Sequence, residues 1–275
     1  MPSEVAVHAP AGAGGEPLAR RLRGLLLRRW HLAATLAVVV LAVLLWSWLA
    51  KVVNPILLAP PGDVWDALRT LTGVGAFWSS VGVTAREMAI GWAGGVAIGL
   101  ALALVAVRWK TVRDALYPYV VVFSAVPKVV LLPLFAAWVG VGMPSTIMLT
   151  VVACFFPTYV SAFVGLSQTS GDALDLMRSL RAKPRQLLLM VQLPGALPMI
   201  FTGLKASMTV AALGAVVGEF YGARTGLGFL INSYATNLET PYVYAVIIAL
   251  SLLALLLYFA VELLQRLVIR WPASP

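Results

Sequence analysis

The sequence predicts an all-α membrane protein with six transmembrane helices, and three observations carry that prediction. Of the 275 residues, 61% are hydrophobic and 11% charged, against about 45–50% and roughly 25% in an average soluble domain. Apolar runs of about 20 residues, the length that crosses a hydrocarbon core, recur along the chain. The segments between them are short and polar, too short for an inserted domain of about 100 residues. A soluble enzyme, a disordered chain and a disulfide scaffold are excluded. The one cysteine, Cys154, lies in an apolar run and reads as a small buried thiol. His8 and His31 cannot form a metal cluster.

Taken in order, residues 1–29 read as a disordered basic tail, rich in Ala, Gly and Pro before Arg20, Arg21, Arg23, Arg28 and Arg29. Residues 30–275 form the transmembrane domain. Its first span, 31–50, is longer than the about 7–15 residues of a signal-peptide core. It ends in Trp46, Trp48 and Lys51, which suits a retained helix with interfacial anchors. Trp65, Leu68, Leu71 and Val74 share one face of a short helix expected to lie on the membrane surface. The later spans are expected at 86–107, 117–139 (interrupted by Pro127 and Pro133), 144–166, 197–221 and 242–267.

Charge sets the expected orientation. With both termini in the cytoplasm, the inner segments carry the five arginines of the tail, Arg108, Lys110, Arg113, Arg178, Arg181, Lys183, Arg185, Arg266 and Arg270. The outer segments carry only Lys51, Arg69, Arg86 and Arg224. The excess of cations belongs inside. In so apolar a chain it marks cytoplasmic loops, not nucleic-acid binding. Gly91, Gly95 and Gly99 recur every fourth residue, as do Gly214, Gly218 and Gly222. That spacing allows close helix approach, within the chain or in a dimer interface.

The informative loop is 168–193. Thr169 and Asp172 have capping-box spacing. Ala173, Leu174, Met177 and Leu180 form an apolar stripe beside Asp175, Arg178 and Arg181, and Pro184 suits the first turn of a second helix. The pattern alone leaves open a solvated connector or a partner surface. Charged residues within spans are functional candidates because lipid disfavours them. Lys128 and Lys205 each lie about eleven residues into a helix, about 16 Å deep and near mid-membrane. They would suit a pathway for small anions, or pair with carboxylates or carbonyls and fix packing. Glu87 and Glu219, nearer the outer side, are candidate partners or gate residues.

The loop resembles the cytoplasmic motif of inner-membrane permease subunits in ATP-binding-cassette (ABC) importers, which reads Glu-Ala-Ala, then Gly, then Leu-Pro. Asp175-Leu176-Met177 stands in the Glu-Ala-Ala place, Arg178-Ser179-Leu180 follows, and Leu193-Pro194 closes the motif. Arg181 stands where the family has Gly, so the turn must use a residue with a side chain. Leu58-Ala-Pro-Pro61-Gly-Asp-Val64, Ala125-Val-Pro127-Lys128 with Leu132-Pro133-Leu134, and Phe155-Phe156-Pro157 are similar to the nitrate, sulfonate and taurine branch. So are Gly218-Glu219 with Gly226-Leu227-Gly228, and Arg270-Trp271.

The resemblance implies a type I ABC importer permease fold in the inner membrane of a prokaryote, with a cytoplasmic coupling helix. Its coupling residues would be Leu174, Asp175, Met177, Arg178, Ser179, Leu180, Arg181, Ala182, Leu193 and Pro194. The implied partners are two ABC ATPase subunits, an extracytoplasmic substrate-binding protein and a second permease copy, likewise in the bilayer. The chain has no Gly-x-x-x-x-Gly-Lys-Ser/Thr run, so ATP and Mg belong to the ATPase and no cofactor is expected here. Expected is a transport subunit for a small nitrate-, sulfonate- or taurine-like solute, not an enzyme. The sequence offers no paired intramembrane acid motif and no nucleophile elbow. The alternative is a stand-alone secondary transporter of small anions, although no internal repeat is visible.

Overall fold

In the computed structural model, residues 18–54, 57–168 and 171–270 are described, and helices make up every regular element among them. Residues 1–17, Thr169 and Trp271 lie outside the described residues. So do most of the expected tail, the capping-box threonine and the last motif residue.

Helix α1 (Leu18–Val52) begins within the segment read as tail, and its strongly apolar part is Ala34–Val52. Trp46 Nε1 donates to the Ala59 carbonyl at 3.1 Å. Helix α2 (Pro61–Thr72) starts at Pro61, whose missing N–H costs nothing in a first turn, and Asp63 favours that positive end. Its buried face is Val64, Ala67 and Leu71. The expected stripe is therefore rotated: Trp65 and Val74 are exposed, and the Arg69 guanidinium sits 5.2 Å from the Trp65 ring centroid.

Helix α3 (Gly75–Arg108) starts eleven residues before the expected span. That stretch holds two buried hydroxyls, Ser80 and Thr84. Ser80 sits buried in the helix by donating back to the Ala76 carbonyl at 3.1 Å, and Thr84 is bonded across the bundle to Glu219.

The third expected span is broken. Helix α4 (Lys110–Ala125) ends at Val126, a short 3₁₀ turn covers Lys128–Leu131, and α5 (Leu132–Val139) follows. Pro127 causes the break. Its ring pushes the preceding residue out of the helical region, and Val126 has ψ 126°. Pro133 lies in the first turn of α5, where it is tolerated. Among the described residues, five helices are thus long and apolar enough to cross a membrane, and Lys128–Val139 is a shorter apolar segment.

Helix α6 (Met143–Ser167) matches the fourth span. The loop that follows holds α7 (Gly171–Ser179) and α8 (Pro184–Leu187). A π-helical turn, Leu188–Gln192, joins α8 without interruption to α9 (Leu193–Phe220). Pro194 lacks the N–H that an α-helix would direct to Met190, and Leu193 N–H bonds to Leu188 O, five residues back. Helices α10 (Leu227–Thr236) and α11 (Thr240–Val268) complete the chain.

Helices α3, α6 and α9 form the core, and glycine sets their spacing. A Cβ at Gly95 would lie 2.6 Å from the Val151 carbonyl oxygen and 2.7 Å from Cys154 Cβ. One at Gly218 would lie 2.5 Å from Thr146 Cγ2. Gly91 and Gly214 both face Thr150, and Gly99 faces the Phe155 carbonyl. These glycines serve packing inside the chain, the backbone-to-backbone approach that small residues permit. Trp92 Nε1 ties α3 to α9 by donating to Leu204 O (3.1 Å) and Ser207 Oγ (3.0 Å). Cys154 is buried as expected, its thiol donating to Ser207 O.

Candidate functional site

The 168–193 segment folds as a nine-residue helix closed by a tight turn. At its C-terminus Arg181 N–H bonds to Arg178 O (2.9 Å) and Ala182 N–H to Met177 O (3.0 Å). This pair of bonds is a Schellman motif, which requires a left-handed residue at the first non-helical position. Arg181 occupies it with φ 56°. The glycine place of the motif is therefore a real left-handed position, here held by a residue with a side chain. Beyond the turn, Lys183 N–H donates to Gln186 Oε1 at 2.7 Å and opens α8.

The apolar stripe is split between two faces. Leu174 and Met177 are half-buried, and Leu174 shares a cavity with Leu104, Val107 and Arg108 at the end of α3. Leu176 and Leu180, one helical turn apart, are 63% and 69% exposed. The outward surface is thus Leu176 and Leu180, flanked by an exposed Asp175–Arg178 pair at 3.0 Å. Leu176 was absent from the expected coupling set. Its i, i+4 relation to Leu180 was the available signal. Leu193 and Pro194 are half-buried, and Leu193 packs on the core, so they belong to the π-turn root of α9.

The two span lysines lie at different cavities. Lys128 sits at the break between α4 and α5, its Nζ 5.3 Å from the Phe156 ring centroid. A cavity of about 310 Å³ opens there, walled by Tyr119, Phe123, Val126, Leu131, Phe155 and Phe156 among others. Lys205 instead faces the last turns of α11. It lines a smaller cavity with Glu262, Gln265, Arg266 and Ile269, and its Nζ is 5.9 Å from the Tyr258 ring centroid. Lys205 lies near the middle of α9, opposite the last turns of α11.

Glu87 and Glu219, far apart in sequence, meet in the core, each 1% exposed. The sequence offered no paired intramembrane acids; the fold makes a pair. Glu219 Oε1 accepts from Thr84 Oγ1 at 2.6 Å, and Oε2 accepts from Gly228 N–H. Leu227 N–H donates to Thr84 Oγ1 at 2.8 Å. The first N–H groups of α10, which have no partner within their own helix, are thereby bonded to α3 and α9. Gly226, at φ 124°, lies so close to the Glu219 carboxyl that any Cβ would overlap it. The Gly-Glu and Gly-Leu-Gly motifs are thus two halves of one contact.

A bundle with an exposed amphipathic helix on one loop can now be set beside known proteins. Residues 95–271 match the family of binding-protein-dependent transport system inner membrane components. The chain belongs to that family. The formylaminopyrimidine transport permease protein ThiX of Halalkalibacterium halodurans is 32% identical over 229 residues, 82% of this chain and 91% of that protein. The taurine transport system permease protein TauC of Escherichia coli is 32% identical over 254 residues, 88% and 92% of the two chains. Among solved structures, the inward-facing MetNI methionine ABC transporter shares the fold, with a TM-score of 0.60 at 22% identity. The match covers 70% of this chain and 96% of that one. This ABC importer permease is a multi-pass inner-membrane transport subunit, not an enzyme. Family membership gives no support to a stand-alone secondary transporter.

Proposed function

We propose that this permease takes its power stroke through α7 and carries a small anionic solute past Lys128. Leu176 and Leu180 enter a groove on an ABC ATPase, while Asp175 and Arg178 set the angle of entry. Two ATPase subunits hold ATP and Mg and close on each other. Their movement, passed through α7 and the Schellman turn to α8 and α9, rocks the spans between inward and outward openings. A second permease copy completes the path, and a soluble binding protein delivers solute from outside. The excess of cations in the expected inner segments supports cytoplasmic termini.

One observation carries the reading: two large apolar side chains, one turn apart, stand in water on a short charged helix. Exposed pairs of this kind mark partner surfaces. Relatives named for taurine, aliphatic sulfonate and nitrate transport support a small anion as cargo. Cross-linking tests the docking. Cys154 is fully buried and silent toward maleimides, so a cysteine introduced by Leu180→Cys is the reactive thiol. A benzophenone attached there through a maleimide should, on irradiation, insert into a C–H bond of the ATPase in native membranes. Full labelling of Leu180→Cys with no adduct to the ATPase on irradiation would refute the docking.

A further inference from the structure

We propose that the cavity at the break in the third span is a station for the transported solute, and that this solute is an organic anion: a flat, largely apolar body with one acidic group. The proposal rests on the permease reading above and narrows its ligand class.

Three independent features converge on this place. The first is the backbone. Val126 and Pro127 have ψ 126° and 104°, so the chain leaves helical geometry inside an otherwise apolar segment. In a bilayer, such backbone is tolerated only where it is buried in protein or lines a cavity. Here Val126 and Lys128 both line one. The second is the charge. Lys128 is a cation placed within a span, and the Phe156 ring face holds its ammonium at the cavity wall. An ammonium at the wall favours an acidic group on the ligand.

The third is the wall. Apart from Lys128 and the Tyr119 hydroxyl, the lining side chains are apolar, and four of them are aromatic: Tyr119, Phe123, Phe155 and Phe156. A bare inorganic anion would surrender its hydration to walls that return no hydrogen bonds, at high cost. A ligand with an aromatic or similarly flat body gains from those walls and presents its charge to Lys128. The cavity, about 310 Å³, lies at the small end of ordinary ligand pockets, enough for a single ring with one acidic substituent.

The test uses the intact permease–ATPase complex purified from native membranes into nanodiscs. Equilibrium binding of radiolabelled benzenesulfonate is measured, with methanesulfonate and nitrate as competitors. The expected result is saturable binding, with nitrate needing at least about tenfold more than benzenesulfonate to displace the label. Lys128→Met should weaken binding about tenfold or more, the size of a lost charge-assisted contact, and Lys128→Arg should keep it. Phe156→Leu keeps every charge, and should narrow the gap between benzenesulfonate and methanesulfonate. It gives a second reading if Lys128→Met does not assemble. No saturable binding, binding indifferent to both substitutions, or equal competition by nitrate would overturn the proposal. So would mass spectrometry finding a phospholipid chain held at this cavity in place of the probe. Co-elution of the ATPase in the same preparation reports on the permease reading separately. An assembled complex that binds nothing sinks the solute site alone, whereas a chain without ATPase sinks the reading beneath it.

Discussion

Arg181 carries a measurable cost. A residue with a Cβ in the left-handed region is disfavoured by about 1–2 kcal/mol, and glycine escapes most of that. Arg181→Gly should therefore tighten the Schellman turn, slowing hydrogen exchange of the Arg181 and Ala182 amides severalfold. Arg181→Val should speed it. Exchange unaltered by either would mean that the turn is held from elsewhere. Thr84 is the second residue whose chemistry can be isolated. Its hydroxyl donates to Glu219 and accepts from Leu227 N–H. Thr84→Val takes the acceptor from Leu227 N–H and one donor from Glu219, and the buried amide left unpaired costs about 1–3 kcal/mol. The thermal midpoint in detergent should fall, and Thr84→Ser should restore most of it. Parity between valine and wild type would refute the latch on α10.

Among elements, α3 and α6 meet along a close seam. Gly95→Ala puts a methyl 2.6 Å from a backbone oxygen, and backbone cannot step aside as a side chain can. An overpacking loss of about 1–3 kcal/mol is expected, read as a lower thermal midpoint. Gly82 stands in the same helix with nothing within 4 Å. Gly82→Ala should be neutral or stabilising by up to about 1 kcal/mol, since alanine favours helix over glycine. Similar losses at both positions would mean that helix propensity and not the seam sets the outcome. On α7, Leu176→Asp and Leu180→Asp should each abolish ATPase co-elution, whereas Leu174→Ala should weaken it less, because Leu174 faces the permease itself. The reverse ranking would return the docking face to Leu174 and Met177.

Across the whole molecule, the order of the apolar spans was legible in the sequence because hydropathy acts over twenty residues at a time, although the third breaks into α4 and α5. What escaped it depended on partners distant in sequence or on local backbone chemistry. The start of α3 was not readable because Ser80 and Thr84 are satisfied where they are buried, Ser80 by its own helix and Thr84 by Glu219 and Leu227. On α2 the face buried in the protein is Val64, Ala67 and Leu71, while Trp65 stays exposed beneath Arg69. At the coupling loop, helix, turn and charge pattern were all readable, and the glycine place marked by Arg181 is left-handed as that motif requires. The choice of Leu176 over Leu174 was not readable, since it depends on where α3 ends. The pairing of Glu87 with Glu219 needed the fold itself, which alone brings α3 and α9 together at that level.

The central claim is that this chain moves solute only as part of an ATP-driven assembly docked through α7. The most direct test is mild-detergent purification of the tagged chain from its own membranes, with mass spectrometry of what co-elutes. A Walker-motif ATPase should accompany the wild-type chain and be lost from Leu180→Asp at equal membrane levels. The chain eluting alone, repeatedly and after cross-linking, would contradict the account.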